Sequence, residues 1–248
     1  MDYLVFRLYG PLASWGDIAV GDTRRSEYYP GRSALLGLLG AALGITRDQD
    51  SEQQALNMGY QFAIKQLCSG ATLRDYHTVQ APDSVGKQCY YTRRDELVTG
   101  HDRLGTVLSS REYRCDSKWL VAVKATEQAR WTLAELATAL KKPRFQLSLG
   151  RKTCVLSAPL APRLYTGPGY KAALDSYEHP HVLNESWQEQ RWLGESEALY
   201  CWEGEAAELC AEADLSSAQQ IQRHDQPVSR RRWQFSPARH WCWQEVSV

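Results

Sequence analysis

Leu4, Phe6 and Leu8 alternate with Tyr3, Val5 and Arg7 near the start of the chain. This is the two-residue period of a half-buried strand, and it predicts a strand over Asp2 to Tyr9. A basic, glycine-bearing loop follows, and then Arg32-Ser-Ala-Leu-Leu-Gly-Leu-Leu-Gly-Ala-Ala-Leu-Gly. Leu35, Leu36, Leu39 and Leu43 fall on one helical face, with Ser33 placed to cap the helix and Gly44 to end it. Gly37, Gly40 and Ala41 leave a thin side where another backbone can pack closely. Tyr60, Phe62 and Ile64 alternate again, and Trp119 to Ala125 is a short apolar run rich in strand formers. A second helix is marked by a Thr132/Glu135 capping box, a Trp131/Leu136 hydrophobic staple and Pro143 as its stop.

The order is thus strand, helix, strand, an interruption, then strand and helix. A further strand near Thr153 to Leu156 would complete a split β-α-β, ferredoxin-like unit, the architecture shared by RNA-recognition motifs. The expected fold class is α+β: a ferredoxin-like unit over residues 1–158 and a small, mostly β C-terminal subdomain over 159–248. Between Val79 and Ser110 the chain is rich in Gly, Asp and Arg, with Tyr90-Tyr91, too polar for a core. It is flanked by strand-like Leu73–Thr78 and Glu112–Cys115, which predicts a long hairpin or arm projecting from the body. After Pro159 the periodicity weakens, leaving an acidic segment from Glu195 to Asp214 and a basic cluster at Arg230-Arg-Arg-Trp.

With 248 residues, 43% of them hydrophobic, the chain can bury an ordinary core. Lys plus Arg and Asp plus Glu both number 29, so any basic footprint must come from local clustering. The seven cysteines are scattered without a Cys-x-x-Cys pair, which indicates neither a zinc site nor a disulfide framework. Asp2 and Arg7 interrupt the first ten residues, and no run approaches membrane-spanning length. The reading is a cytoplasmic, thiol-reduced protein with no membrane partner. Nine Trp and thirteen Tyr serve core packing, base stacking or protein contacts equally well on composition alone.

A helix whose first turn carries Arg32 and Ser33 presents backbone N–H groups and a positive dipole end, which together bind anions. Arg24, Arg25 and Arg32 flank this helix. Lys141, Lys142, Arg144, Arg151 and Lys152 bracket the end of the second. There Gly150 lets backbone N–H groups approach a phosphate, Arg151 and Lys152 neutralise it, and Phe145 is placed to stack on a base. Solvated loop charges account for the same residues. Tyr76 and His77, with a nearby Lys or Arg, are the makings of a metal-independent ribonuclease acting on a ribose 2′-OH, or a strand-end pair making structural hydrogen bonds. Arg111 and Glu112-Tyr-Arg-Cys-Asp put charge where the arm rejoins the body. No Walker loop, His-x-x-x-His or Gly-x-Ser-x-Gly points to another enzyme, and no metal or other cofactor is called for.

Five stretches stand in a telling order: Arg7-Leu-Tyr-Gly-Pro-Leu-Ala-Ser-Trp-Gly, Pro30-Gly-Arg-Ser through Ile45, Leu73-Arg-Asp-Tyr-His-Thr, Arg111-Glu-Tyr-x-Cys-Asp, and Lys142-Pro-Arg-Phe through Leu-Gly-Arg-Lys-x-Cys154. In order and spacing they resemble the CasD subunits of type I-E CRISPR Cascade, a branch of the Cas-five family. The likeness is specific to about residue 156 and looser beyond, where Arg223-His-Asp-Gln-Pro and Arg232-Trp-Gln-Phe echo the family's tail. The resemblance implies a non-catalytic RNA-binding subunit that caps the 5′ handle of the CRISPR RNA. It would sit between the CasC backbone and the large subunit CasA, meeting target DNA at most indirectly, with a thumb hairpin at 79–110. The implied handle contacts are Arg24, Arg25, Arg32, Ser33, Tyr76, His77, Arg111, Arg144, Phe145, Gly150, Arg151 and Lys152. A repeat-cleaving ribonuclease, as in the related I-C branch, is the alternative.

Overall fold

Both alternating sets of the first strand are apolar, Leu4, Phe6 and Leu8 on one side and Tyr3 and Val5 on the other, and all five are fully buried. The strand is therefore central and covered on both faces, where alternation alone predicts a half-buried one. A computed structural model describes residues 1–83, 89–178, 198–210 and 215–245. Residues 84–88 of the expected arm, and 195–197 and 211–214 of the acidic segment, lie outside the described residues.

The N-terminal part runs β1 (Asp2–Tyr9), the short β2 (Leu12–Ala13), β3 (Trp15–Gly16), β4 (Thr23–Arg24) and β5 (Ser26–Glu27), then α1 (Arg32–Leu43) and α2 (Asp50–Gly59). The middle holds β6 (Tyr60–Cys68), β7 (Ala71–Pro82), α3 (Arg93–Val98), β8 (Leu104–Cys115), β9 (Lys118–Ala125) and α4 (Leu133–Lys141). The last part supplies β10 (Arg163–Thr166), α5 (Tyr170–Asp175), β11 (Leu199–Trp202), β12 (Gln219–Ser229) and β13 (Gln234–Gln244). No described helix is long and apolar enough to cross a membrane.

A seven-stranded sheet in the order β10-β1-β9-β6-β11-β13-β12 organises the described residues, and its neighbouring strands are antiparallel. On one face Leu4, Phe6, Leu8, Phe62 and Val121 pack with Leu35, Leu36 and Leu39 of α1 and Leu136 and Leu140 of α4. On the other, Tyr3, Val5 and Ala122 pack with Tyr170, Ala173 and Leu174 of α5. Helix α4 has the reciprocal capping box its sequence predicts, with the Thr132 hydroxyl and the Glu135 carboxylate each accepting from the other's backbone N–H. Helix α1 ends at Gly44 with φ +80°, the left-handed C-cap that glycine adopts without strain.

The strand expected at Thr153–Leu156 is not formed. Cys154 N–H bonds back to the Arg151 carbonyl and Leu149 N–H to the Cys154 carbonyl, making a tight turn whose only strand-like contact is a Ser148↔Val155 bridge. The edge position beside β1 goes to β10. The segment after Pro159, expected as a subdomain of its own, supplies β10 to one edge of the sheet and β11, β13 and β12 to the other. Cys201 and Cys242 are opposed in the β11–β13 register and joined by a disulfide, against the expectation of reduced thiols throughout. Their bond follows from strand register, which Cys spacing does not encode.

The arm begins earlier than its composition suggests. β7 and β8 pair from Ala71↔Cys115 at the base to Pro82↔Leu104 at the far end, beyond which lie α3 and a 3-10 turn at His101–Arg103. At the base β8 is extended by β2 and by β4, the latter in parallel.

Candidate nucleic-acid interface

Four segments converge at the arm base. β4 pairs with β8 so that Arg24 lies opposite Arg111. Arg151 lies over the Tyr113 ring at 4.6 Å and donates to the carbonyls of Glu112 (3.5 Å) and Arg24 (3.4 Å). Its loop is pinned by Ser14, whose N–H donates to the Leu149 carbonyl and whose hydroxyl donates to the Glu112 carbonyl. Gly150 has φ +88°, and a Cβ there would lie 1.8 Å from the Ser14 carbonyl oxygen, so no other residue fits this approach. Arg24 also donates to the Gly21 and Thr23 carbonyls, which shapes the preceding turn. Arg24, Arg111, Gly150 and Arg151 are thus brought together, with Arg25 and Lys152 exposed beside them.

On the arm, cross-strand register sorts the side chains between two faces. Arg74 and Tyr76 share one with Ser110 and Glu112; Asp75 and His77 share the other with Ser109, Arg111 and Tyr113. Tyr76 is 64% exposed, Arg74 pairs with Glu112 at 2.9 Å, and His77 Nδ1 lies 3.7 Å from the Asp75 carboxylate. Tyr76 and His77, grouped by their adjacency in sequence, therefore face opposite ways and do not form one constellation.

The anion-binding helix end at Arg32 and Ser33 is corrected by the structure. The N-cap is Gly31, the Ser33 side chain makes no capping bond, and the Arg32 N–H is taken by the Asp225 carboxylate at 2.7 Å. The Arg32 side chain is 9% exposed, its guanidinium ion-paired with Glu203 and bonded to the Asn57 and Tyr60 carbonyls. Arg223 lies over Tyr29, whose hydroxyl is 2.8 Å from His240 Nε2. The anion this helix end holds is the chain's own. Burial pushes the Glu203 carboxyl up to about 7 although Arg32 opposes it, and burial with the nearby Arg223 charge pushes His240 down to about 4.

Arg144 and Phe145 part company with Gly150–Lys152. Their backbone N–H groups bond the Ala42 and Ala41 carbonyls at the end of α1, and the Arg144 side chain packs against Gly44. Phe145 is 47% exposed there. The sequence reading missed Tyr113 and the Arg114–Tyr28 pair. Arg114 is buried beneath the Tyr28 ring at 4.7 Å and donates to the Ser69 carbonyl and the Thr72 hydroxyl. Tyr113 was recoverable, since it stands two residues from Arg111 on one strand and so on the same face.

Comparison with known proteins bears on this arrangement. The family described as CRISPR-associated protein (Cas_Cas5) matches residues 3–240. The CRISPR system Cascade subunit CasD of Escherichia coli (strain K12) is 40% identical over 166 residues, covering 64% of this chain and 69% of that protein. A chain of a CRISPR RNA-guided surveillance complex has the same fold at a TM-score of 0.61 and 22% identity, covering 98% of this chain and 89% of that one. A crystallised Cas protein does so at 0.56 and 23%, covering 98% and 94%. The sheet, the helices on its faces and the arm at its side are accordingly a shared architecture, and the chain belongs to the Cas5 family of CRISPR-associated proteins.

Proposed function

We propose that this chain is the CasD subunit of a type I-E Cascade, a cytoplasmic, non-catalytic protein that caps the 5′ handle of the CRISPR RNA and bridges the CasC backbone to the large subunit CasA. The observation that carries the reading is the gathering of Arg24, Arg111 and Arg151 at the root of the paired arm, in a chain of this family. Arg24, Arg25, Arg111 and Lys152 neutralise handle phosphates, and Arg151 holds their loops in place against Tyr113. Tyr76 on the arm offers an exposed ring for an unpaired base. The sheet order β10-β1-β9-β6, with α1 and α2 crossing between β1 and β6 and α4 between β9 and β10, supports a ferredoxin-like palm. The arm from β7 to β8 would be its thumb.

Crosslinking of the RNA that co-purifies with the assembled complex tests this. Crosslinks are expected in peptides spanning 21–27, 104–115 and 150–152, and a map that omits all three sinks the reading. The complex carrying Arg111→Ala with Lys152→Ala should lose about 1.4 from its salt slope of guide binding, roughly 0.7 per single-strand phosphate contact. Purified protein incubated with labelled repeat RNA in EDTA should leave it intact; a specific cut that disappears in His77→Ala would establish the ribonuclease instead.

A further inference from the structure

We propose that the tip of the β12–β13 hairpin is a second nucleic-acid site, one that takes an unpaired strand with a base on Trp233 and phosphates on Arg47, Arg231 and Arg232. The hairpin crosses α1: Asp225 meets the Arg32 N–H, Arg230 donates to the Ser33 carbonyl, and Gln226 and Pro227 bond to Asn57 at the end of α2. This fastening brings the turn at 230–233 over the segment that follows α1, where the Arg47 guanidinium lies 4.9 Å from the centre of the Trp233 ring. Phe235 meets that ring edge-on at 5.4 Å.

Three features set the tip apart from an ordinary solvated turn. Trp233 is 58% exposed although its ring is braced by Arg47 and Phe235. Its φ of +55° belongs to the left-handed region that a bulky side chain rarely enters, so the backbone holds an indole where glycine is the unstrained choice. Among the described residues, no carboxylate pairs with the exposed Arg47, Arg231 or Arg232, in a protein whose opposite charges are equal in number. A braced, exposed indole among uncompensated guanidinium groups suits a strand that offers both a base face and phosphate charge, which an acidic peptide does not. The tip shares no residue with the arm base.

The test uses the full chain bearing Arg111→Ala and Lys152→Ala, so that the arm base contributes less, with fluorescent (dT)12 and rU12 as probes and the tip variants compared against this background. In that background Trp233→Gly should weaken binding of at least one probe about tenfold, the scale of stacking on one aromatic side chain. Its melting temperature should not fall, because glycine suits the left-handed φ. Arg231→Gln with Arg232→Gln should lower the salt slope by about 1.4, and this pair decides the matter should Trp233→Gly fail to fold. Preference for (dT)12 identifies an unpaired DNA strand, preference for rU12 an RNA, and equal binding a site blind to the 2′-OH; each supports the proposal. Unchanged affinity and slope for both probes overturn it. The arm-base reading is tested apart, since the tip variants in the otherwise native chain should leave handle crosslinks at 104–115 in place.

Discussion

Arg24 precedes α1 and Arg32 is its first residue, and burial gives the two arginines opposite parts: Arg24 is exposed, while Arg32 is walled in with Glu203. Removing one partner of a buried pair leaves the other charge uncompensated, so Arg32→Ala should cost about 3–5 kcal/mol of unfolding free energy, measured in urea. Arg32→Met combined with Glu203→Leu should recover most of that loss. The neighbouring titrations give a second expectation. Glu203, raised to about 7 from an ordinary 4.5, binds more protons folded than unfolded, so its contribution is complete below pH 4.5 and fades as pH rises through 7. His240, lowered to about 4 from 6.5, does the reverse: its contribution is complete above pH 6.5 and fades as pH falls through 4. The two slopes oppose each other over most of that interval. Relative to the parent, Glu203→Gln should become steadily more stable from pH 4.5 to 7, and His240→Gln steadily less stable from pH 4 to 6.5, in urea midpoints taken across pH. Parallel curves for parent and variants would remove both groups from the linkage.

Among elements, the arm and the central sheet differ in what covers them. Outer residues of β7 and β8 such as Tyr76, Val79, Val107 and Leu108 are exposed, whereas β1 and β9 are enclosed between helices. Backbone amides of the outer arm should therefore exchange with deuterium at least ~100-fold faster than those of β1 and β9 in the isolated chain. Equal protection would mean that the arm opens only with global unfolding. Elements with a strong local signature were legible from sequence: β1 from its alternation, α4 from its capping box, and the arm from a polar stretch between strand-like flanks. Helix α2 was not, because Asp50–Gly59 buries only Leu56 and Gly59 and shows no apolar stripe. The edge strand was misplaced because Thr153–Leu156 is as strand-prone as Arg163–Thr166, and only the turn at Arg151–Cys154 separates them. In the candidate site, Gly150 and Arg151 stand out in sequence as a pair suited to a phosphate, but the contacts that place them, Ser14 against Gly150 and Tyr113 and Arg24 against Arg151, lie far along the chain and carry no local signature. The occupant of the α1 N-terminus was not legible either, since Asp225 lies 193 residues from Arg32.

For the whole molecule, the sheet is joined by strands far apart along the chain. β11 pairs along β6, and Glu203, directly after it, accepts from the Phe62 N–H as well as from Arg32. A chain ending at residue 198 should consequently form inclusion bodies or melt without cooperativity, because the β6 edge is left unpaired and Arg32 stays charged inside an incomplete core. A sharp thermal transition from that fragment would contradict this account. The distance between these partners also sets a schedule for synthesis. Arg32 leaves the ribosome 171 residues before Glu203, a wait of about 10 to 30 s at 5–20 residues per second. During that interval the N-terminal part is a nascent chain with an unanswered interior charge and an open strand edge, a state suited to chaperone binding and closed to final folding. Synthesis of the chain's last third is thus the step that completes the sheet.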